Sequence, residues 1–240
     1  VLSRDELVSE LVQDKRFKGM EEQLRSGWGA LLKPLAWQGA LCYCPSSSSK
    51  ATFTHPASFL TNWNGLPDPA EAAPAVITRY LSAYGPATPE TFDAWLSRNS
   101  NRKSTLRGWF ASLGEQVVEV RVEGETRYLL AEHEDELAAT RPSRATHLLG
   151  GFDQFVLGPG TKDTHMLASE HRSLVSKAAG WIAPVLTRGG RITGVWDMDD
   201  GNLVVTPFPG EQAPPSKVLE DTAARLAAVH GSVKVAPRVD

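Results

Sequence analysis

Between Tyr84 and Ala131 the hydrophobic period changes from helical to alternating, and this change restricts the fold more than any other feature of the chain. Thr88 precedes Pro89, Glu90 and Thr91, the order of an N-cap, a first-position proline and a polar first turn, after which Phe92, Trp95 and Leu96 share one helix face. The segment from Arg98 to Lys103 is polar and ends at a further cap candidate, Ser104, beyond which Leu106, Trp109, Phe110 and Leu113 recur at helical spacing. From Gln116 the chain alternates Val118, Val120 and Val122 with Glu119, Arg121 and Glu123, turns at Gly124, and returns through Thr126, Tyr128 and Leu130. Helix, basic turn, helix and two-stranded wing is the order that puts a helix into a DNA major groove, so the stretch reads as a winged helix.

The same order recurs upstream. Ser3 and Glu6 have capping-box spacing, with Leu7, Val8, Leu11 and Val12 as the apolar stripe of a helix ending near Lys15. A second helix is expected over Met20 to Arg25 and a third over about Trp28 to Gln38, burying Leu31, Leu32, Leu35 and Ala36. Pro34 either kinks that third helix or starts a new one. Gly39 stops it, and strands at 41–44 and 51–55 flank a polar tip, Pro45 to Lys50. The spacing predicts two tandem winged-helix units, 1–62 and 63–143, with a linker from Asn62 to Pro74 and an opening helix of the second unit from Ala75. An acidic helix, Glu132 to Thr140, leads through Pro142 into a third region, 144–240. There Trp181 to Thr187, Arg191 to Asp197 and Leu203 to Phe208 read as an antiparallel meander turning at Gly189-Gly190 and Asp200-Gly201. A helix from Pro215 to His230 is expected to bury Val218, Leu219, Ala223, Leu226 and Val229, and Ser232 to Ala236 to add a last strand.

At 240 residues and 41% hydrophobic the chain can bury a sizeable core, yet its formal charge is only -3, so any DNA contact has to be local. Cys42 and Cys44 are too close for an ordinary disulfide and fit a reducing cytoplasm. No run reaches the roughly 18–20 apolar residues of a membrane span. The chain opens on Val1 without an initiator Met and reads as a processed or excerpted piece of something longer.

Two basic sets are candidate DNA contacts. Arg98, Arg102, Lys103 and Arg107 cluster at the turn and the start of the helix in the second unit, although Glu123 and Glu125 at the wing tip would repel phosphate. In the first unit Lys33 and Gln38 lie on the presumed recognition helix and Lys50 ends a small, polar tip, an equal candidate. A solvated surface is the alternative for both. Cys42, Cys44 and His55 supply three possible zinc ligands but no fourth, and two buried free thiols fit better. GPGTKD at 158–163 lacks the Gly-Lys-Ser/Thr order of a phosphate loop. Asp197, Asp199 and Asp200 read as a hairpin turn, not a calcium loop. Asp153 in GFDQFVLG reads as a turn cap more readily than as an acid-base group, His165 and His171 are not a ligand pair, and Trp28, Trp37, Trp95, Trp109 and Trp181 read as core.

Four stretches taken together, GWGALLKPLAWQGALCYCP from Gly27, YGPATPETFDAWL from Tyr84, LLGGFDQFVLG from Leu148 and WIAPVLTRGGRITGVW from Trp181, resemble the AlkZ-like winged-helix DNA glycosylase family over nearly the whole chain. The resemblance implies an α+β fold: tandem winged-helix units followed by a small antiparallel β-barrel-like domain with a C-terminal helix, forming a concave DNA-binding surface. It implies hydrolysis of the N-glycosidic bond of N7-alkylated purines, including some interstrand crosslinks, with double-stranded, alkylated DNA as partner. No metal or cofactor is expected, and the chain is expected to be a cytoplasmic monomer. The family's Gln-x-Gln or Gln-x-Asp motif is absent: Gln13, Gln23, Gln38, Gln116, Gln154 and Gln212 all lack the partner two residues on. No catalytic residue is therefore assigned, and the chain is not expected to be catalytic by itself. A winged-helix transcriptional regulator and a protein-interaction module are the alternatives.

Overall fold

Ser3 accepts a hydrogen bond from the Glu6 amide while Glu6 Oε2 accepts one from the Ser3 amide at 2.8 Å, so the capping box starts α1 (Arg4–Leu11). The computed structural model describes residues 1–26, 29–46, 50–141 and 143–235 and divides into two units, Val1–Glu71 and Ala72–Asp240. In the first unit the residues just before α1 form a short strand, β1 (Leu2–Ser3). It adds to a hairpin of β2 (Cys42–Cys44) and β3 (Thr52–Thr54), giving the order β1-β3-β2. Packed on it are α2 (Glu21–Arg25) and α3 (Lys33–Trp37), around Val8, Leu24, Leu32 and Phe53.

Two expectations for this unit need correction. α3 has five residues, because Pro34 falls in its first turn and starts the helix instead of kinking a longer one. Five residues make no full apolar stripe, so Leu35 and Ala36 are exposed and Trp37 is 73% exposed, not core. Cys42 and Cys44 are free but half-buried instead of buried, since β2 is an edge strand. Gly27, Trp28 and Ser47 to Ser49, which include the tip of this hairpin, lie outside the described residues, as do Pro142 and Ala236.

The second unit begins within α4 (Pro69–Tyr84), which starts six residues earlier than expected. Asp68 Oδ1 accepts from the Ala70 amide at 2.7 Å, and proline is tolerated where the amide has no partner, so the last six residues of the segment read as a linker are already helical. α5 (Pro89–Ser97) carries the Thr88 cap, with Thr91 reciprocating. α6 (Lys103–Ala111) follows, and its N-cap is Arg102, without side-chain capping, instead of Ser104. β4 (Val117–Val122) and β5 (Glu125–Leu130) form the hairpin in the register that leaves Glu123 and Gly124 as a two-residue loop. Ile77, Tyr80, Leu81, Phe92, Leu106 and Phe110 form the core beneath.

After a short helix, α7 (Glu134–Ala139), come β6 (Thr146–Leu149), α8 (Gln154–Leu157), α9 (Arg172–Val175), β7 (Val185–Arg188), β8 (Arg191–Asp199) and β9 (Asn202–Pro207). The chain closes with α10 (Ser216–His230) and β10 (Lys234–Val235). The meander is present, and both expected dipeptides make its turns. The five-stranded sheet runs β10-β9-β8-β7-β6 and is not antiparallel throughout: β10 pairs parallel to β9, because α10 carries the chain back across the sheet before it. On α10 it is Thr222 and Ala223 that are buried, while Val229 is 79% exposed. The fold class is α+β, and among the described residues no helix is long and apolar enough to cross a membrane.

The GFDQFVLG motif joins α4 to this sheet. Tyr84 Oη donates to Gln154 Oε1 at 2.8 Å and Tyr80 Oη to the Gly158 carbonyl at 3.3 Å. A Cβ on Gly158 would lie 2.2 Å from Tyr84 Cδ1, so only glycine admits the ring there. Asp153 is the N-cap of α8, accepting from the Phe155 amide.

Tyr80 is 1% exposed, and burial pushes its phenol up from 10.0 to about 12. A raised phenol value favours the neutral folded form. The contribution is therefore complete below pH 10.0 and disappears as pH rises through about 12, roughly 3 kcal/mol in all. We expect unfolding free energy to fall over that alkaline window, and Tyr80→Phe to flatten the fall in denaturant titrations taken at successive pH values.

Candidate nucleic-acid interface

The polar segment between α5 and α6 is built around one buried carboxylate. Asp93 is 2% exposed; its Oδ1 accepts from Ser97 Oγ and from Asn101 Nδ2 at 2.7 Å, and its Oδ2 from the Asn101 amide at 3.3 Å. A buried carboxylate is retained when its acceptor sites are filled in this way. The sequence reading missed this residue. Its signal was a polar pair, Asp93 and Ser97, stepping by four on α5 beside the inward Phe92.

That turn presents the second basic set. Arg98 closes α5, Arg102 caps α6, Lys103 is its first residue and Arg107 lies one turn on; all four are exposed. None of the four side chains has a hydrogen-bond or ion-pair partner among the described residues. Leu106 and Phe110 bury the opposite side of α6, so Lys103, Ser104, Arg107, Gly108 and Ala111 form its outward face. A Cβ at Gly108 would meet nothing within 4 Å, which leaves the middle of this face flat and basic.

Both acidic side chains at the wing tip have partners. Glu123 and Gly124 take φ of 49° and 88°, the two positive values of a tight hairpin turn. The Arg121 guanidinium pins that turn by donating to the Gly124 carbonyl at 3.0 Å. Glu123 Oε2 then lies 2.7 Å from His165 Nδ1 and its Oε1 3.5 Å from Arg191, while Glu125 Oε2 is 2.9 Å from Arg127 and 3.8 Å from His165 Nε2. Arg127 also reaches Asp163 at 3.4 Å. Glu123 thus faces Arg191 and the His165 ring from the C-terminal region, while Glu125 pairs with Arg127 on its own strand, so the two acids of the tip are not left bare as the sequence suggests. His171 instead stacks on Phe208, ring centroids 4.3 Å apart.

The first basic set belongs to the other unit. Lys33 opens α3 beside a cavity of about 240 Å³ lined by Arg4, Leu32, Tyr43 and Phe53; Gln38 ends α3 and is exposed; Lys50 is exposed and has an interaction partner. His55 Nδ1 accepts from the Ala57 amide at 3.2 Å as a cap, and no group of three possible metal-binding side chains occurs among the described residues. Trp95 (40%) and Trp181 (56%) are exposed instead of core, Trp95 in tilted contact with Tyr80 and Tyr84 and Trp181 meeting Phe152 nearly perpendicularly.

The model of the DNA glycosylase AlkZ-like family matches residues 1–229. An interstrand DNA cross-link repair glycosylase of Streptomyces sahachiroi is 57% identical over 240 residues, 100% of this chain and 65% of that relative's length. The solved structure of Streptomyces sahachiroi DNA glycosylase AlkZ aligns with a TM-score of 0.88 at 56% identity, again over 100% of this chain and 65% of the other.

Proposed function

This chain belongs to the DNA glycosylase AlkZ-like family, and from that premise we propose that it is the DNA-holding part of a repair glycosylase acting on alkylated or interstrand-crosslinked duplex. On this reading 1–62 and 63–143 are tandem winged-helix domains, 144–240 is the C-terminal β-barrel-like domain, and the molecule is a cytoplasmic monomer. The observation that carries the proposal is a group of four cations without a partner among the described residues, Arg98, Arg102, Lys103 and Arg107, at the turn and outward face of α6. Cations left without partners in a chain of net charge -3 suit phosphate contacts, which position a protein on duplex irrespective of sequence. Lys33, Gln38 and Lys50 are proposed as a second set.

Hydrolysis through a Gln-x-Gln or Gln-x-Asp motif requires residues that these 240 do not include, so this chain is proposed to bind without cleaving. Salt titration of binding to a mixed-sequence duplex tests the reading. Log affinity is expected to fall linearly with log salt, and a salt-independent or absent affinity would leave only a protein-interaction role. Release of an N7-alkylpurine from alkylated duplex by the chain alone would overturn the non-catalytic part.

A further inference from the structure

We propose that Arg98 is a phosphate contact held in a left-handed backbone conformation, with buried Asp93 as its positioning residue; this rests on the DNA-binding reading above. Arg98 has φ 58° and ψ 41° and is followed by Asn99 at φ 64°. Helix ends commonly pass through that region, but with glycine, or next best asparagine, because any other side chain crowds the backbone there. Asn99 fits the rule and Arg98 breaks it. The Arg98 side chain itself does not offset the cost, since it is exposed and has no partner among the described residues. A strained residue persists where surrounding structure over-determines it, and such positions cluster at functional sites.

Asp93 is what over-determines it. Its carbonyl accepts from the Arg98 amide and, at 3.3 Å, from the Asn99 amide. Its carboxylate ties Ser97, directly before Arg98, to Asn101, directly before Arg102. The three residues between those two anchors have little freedom, and the Arg98 side chain is exposed on the same turn that leads into Arg102 and Lys103. A planar guanidinium donates two parallel hydrogen bonds to phosphate oxygens, which neither glycine nor asparagine can supply.

The test uses the 240-residue chain and a fluorescently labelled mixed-sequence duplex. Arg98→Gly relieves the backbone while removing the contact, so binding and stability should part. Affinity is expected to drop about fivefold at low salt and the slope of log affinity on log salt to become shallower by about one, the signature of one lost phosphate. The thermal midpoint should hold or rise by up to about 4 °C. Arg98→Lys should restore the slope. Asp93→Asn is expected to weaken binding in the parent chain and to weaken it much less in the Arg98→Gly background; if Asp93→Asn does not fold, Asn101→Ala reads the same coupling. If the parent binds duplex with a salt-dependent affinity and Arg98→Gly binds identically, the inference is wrong and the DNA-binding reading stands. If Arg98→Gly lowers the midpoint, the strain argument fails. A parent without salt-dependent binding removes both.

Discussion

Replacing Lys103 and Arg107 together by glutamate is expected to lower duplex affinity about a hundredfold at low salt and to make the salt slope shallower by about two. The two side chains lie one turn apart on the outward face of α6, are exposed, and have no intramolecular partner among the described residues. Each reversal removes a cation from the phosphate and substitutes a charge that repels it. Folding should not follow. Exposed substitutions of this kind shift stability by about 0.5 kcal/mol or less, and a glutamate at the first position of α6 complements the helix dipole better than the lysine it replaces. An unchanged thermal midpoint with collapsed binding is the expected pairing, read by thermal unfolding and by titration of one duplex at several salt concentrations. Equal binding by the parent and the double variant would move the DNA contact away from the outward face of α6 and leave Arg98 and Arg102 at the turn, with Lys33, Gln38 and Lys50, as the remaining candidates.

That experiment separates what the sequence made legible from what it did not. Signals that act within a few residues were readable: the Ser3–Glu6 capping box, the Thr88 cap with Pro89, the period change after Gln116, and the Gly189-Gly190 and Asp200-Gly201 turns each depend on the backbone near them. The cluster from Arg98 to Arg107 was readable for the same reason. Contacts that close over long separations were not. Glu123 looked like a repulsive wing tip because His165, the group that faces it, lies 42 residues further along the chain. Trp37 looked like core because an apolar stripe was extended through Pro34, where the helix in fact begins. The inward position of Asp93 follows helical spacing, yet nothing local says that Asn101 will fold back to donate to it. β10 pairs parallel because α10 intervenes, a matter of topology that two residues, Lys234 and Val235, do not encode.

Arg127→Ala should be the most destabilising single substitution considered, at about 3 kcal/mol, because it strands a carboxylate. The Arg127 side chain is 13% exposed and that of Asp163 6%, with 3.4 Å between them. Without the guanidinium, Asp163 retains the His165 amide at 2.9 Å as its identified partner and keeps its charge away from water. Arg127 also holds Glu125 within β5, and because its contact with Asp163 ties that strand to the C-terminal region, the same change loosens the wing from it. A loss of this size lowers the thermal midpoint by about 6–12 °C for a chain of this length. The control is Asp163→Asn, which needs no counter-charge. In the Arg127→Ala background it should recover part of the loss, since the penalty comes from the stranded charge more than from the missing contact. If the single and double variants unfold at the same midpoint, lost packing of the arginine stem is the cause instead. Hydrogen exchange then tells whether the wing depends on this pair: β5 amides should lose protection in Arg127→Ala before those of β8, because only β5 carries the broken tie.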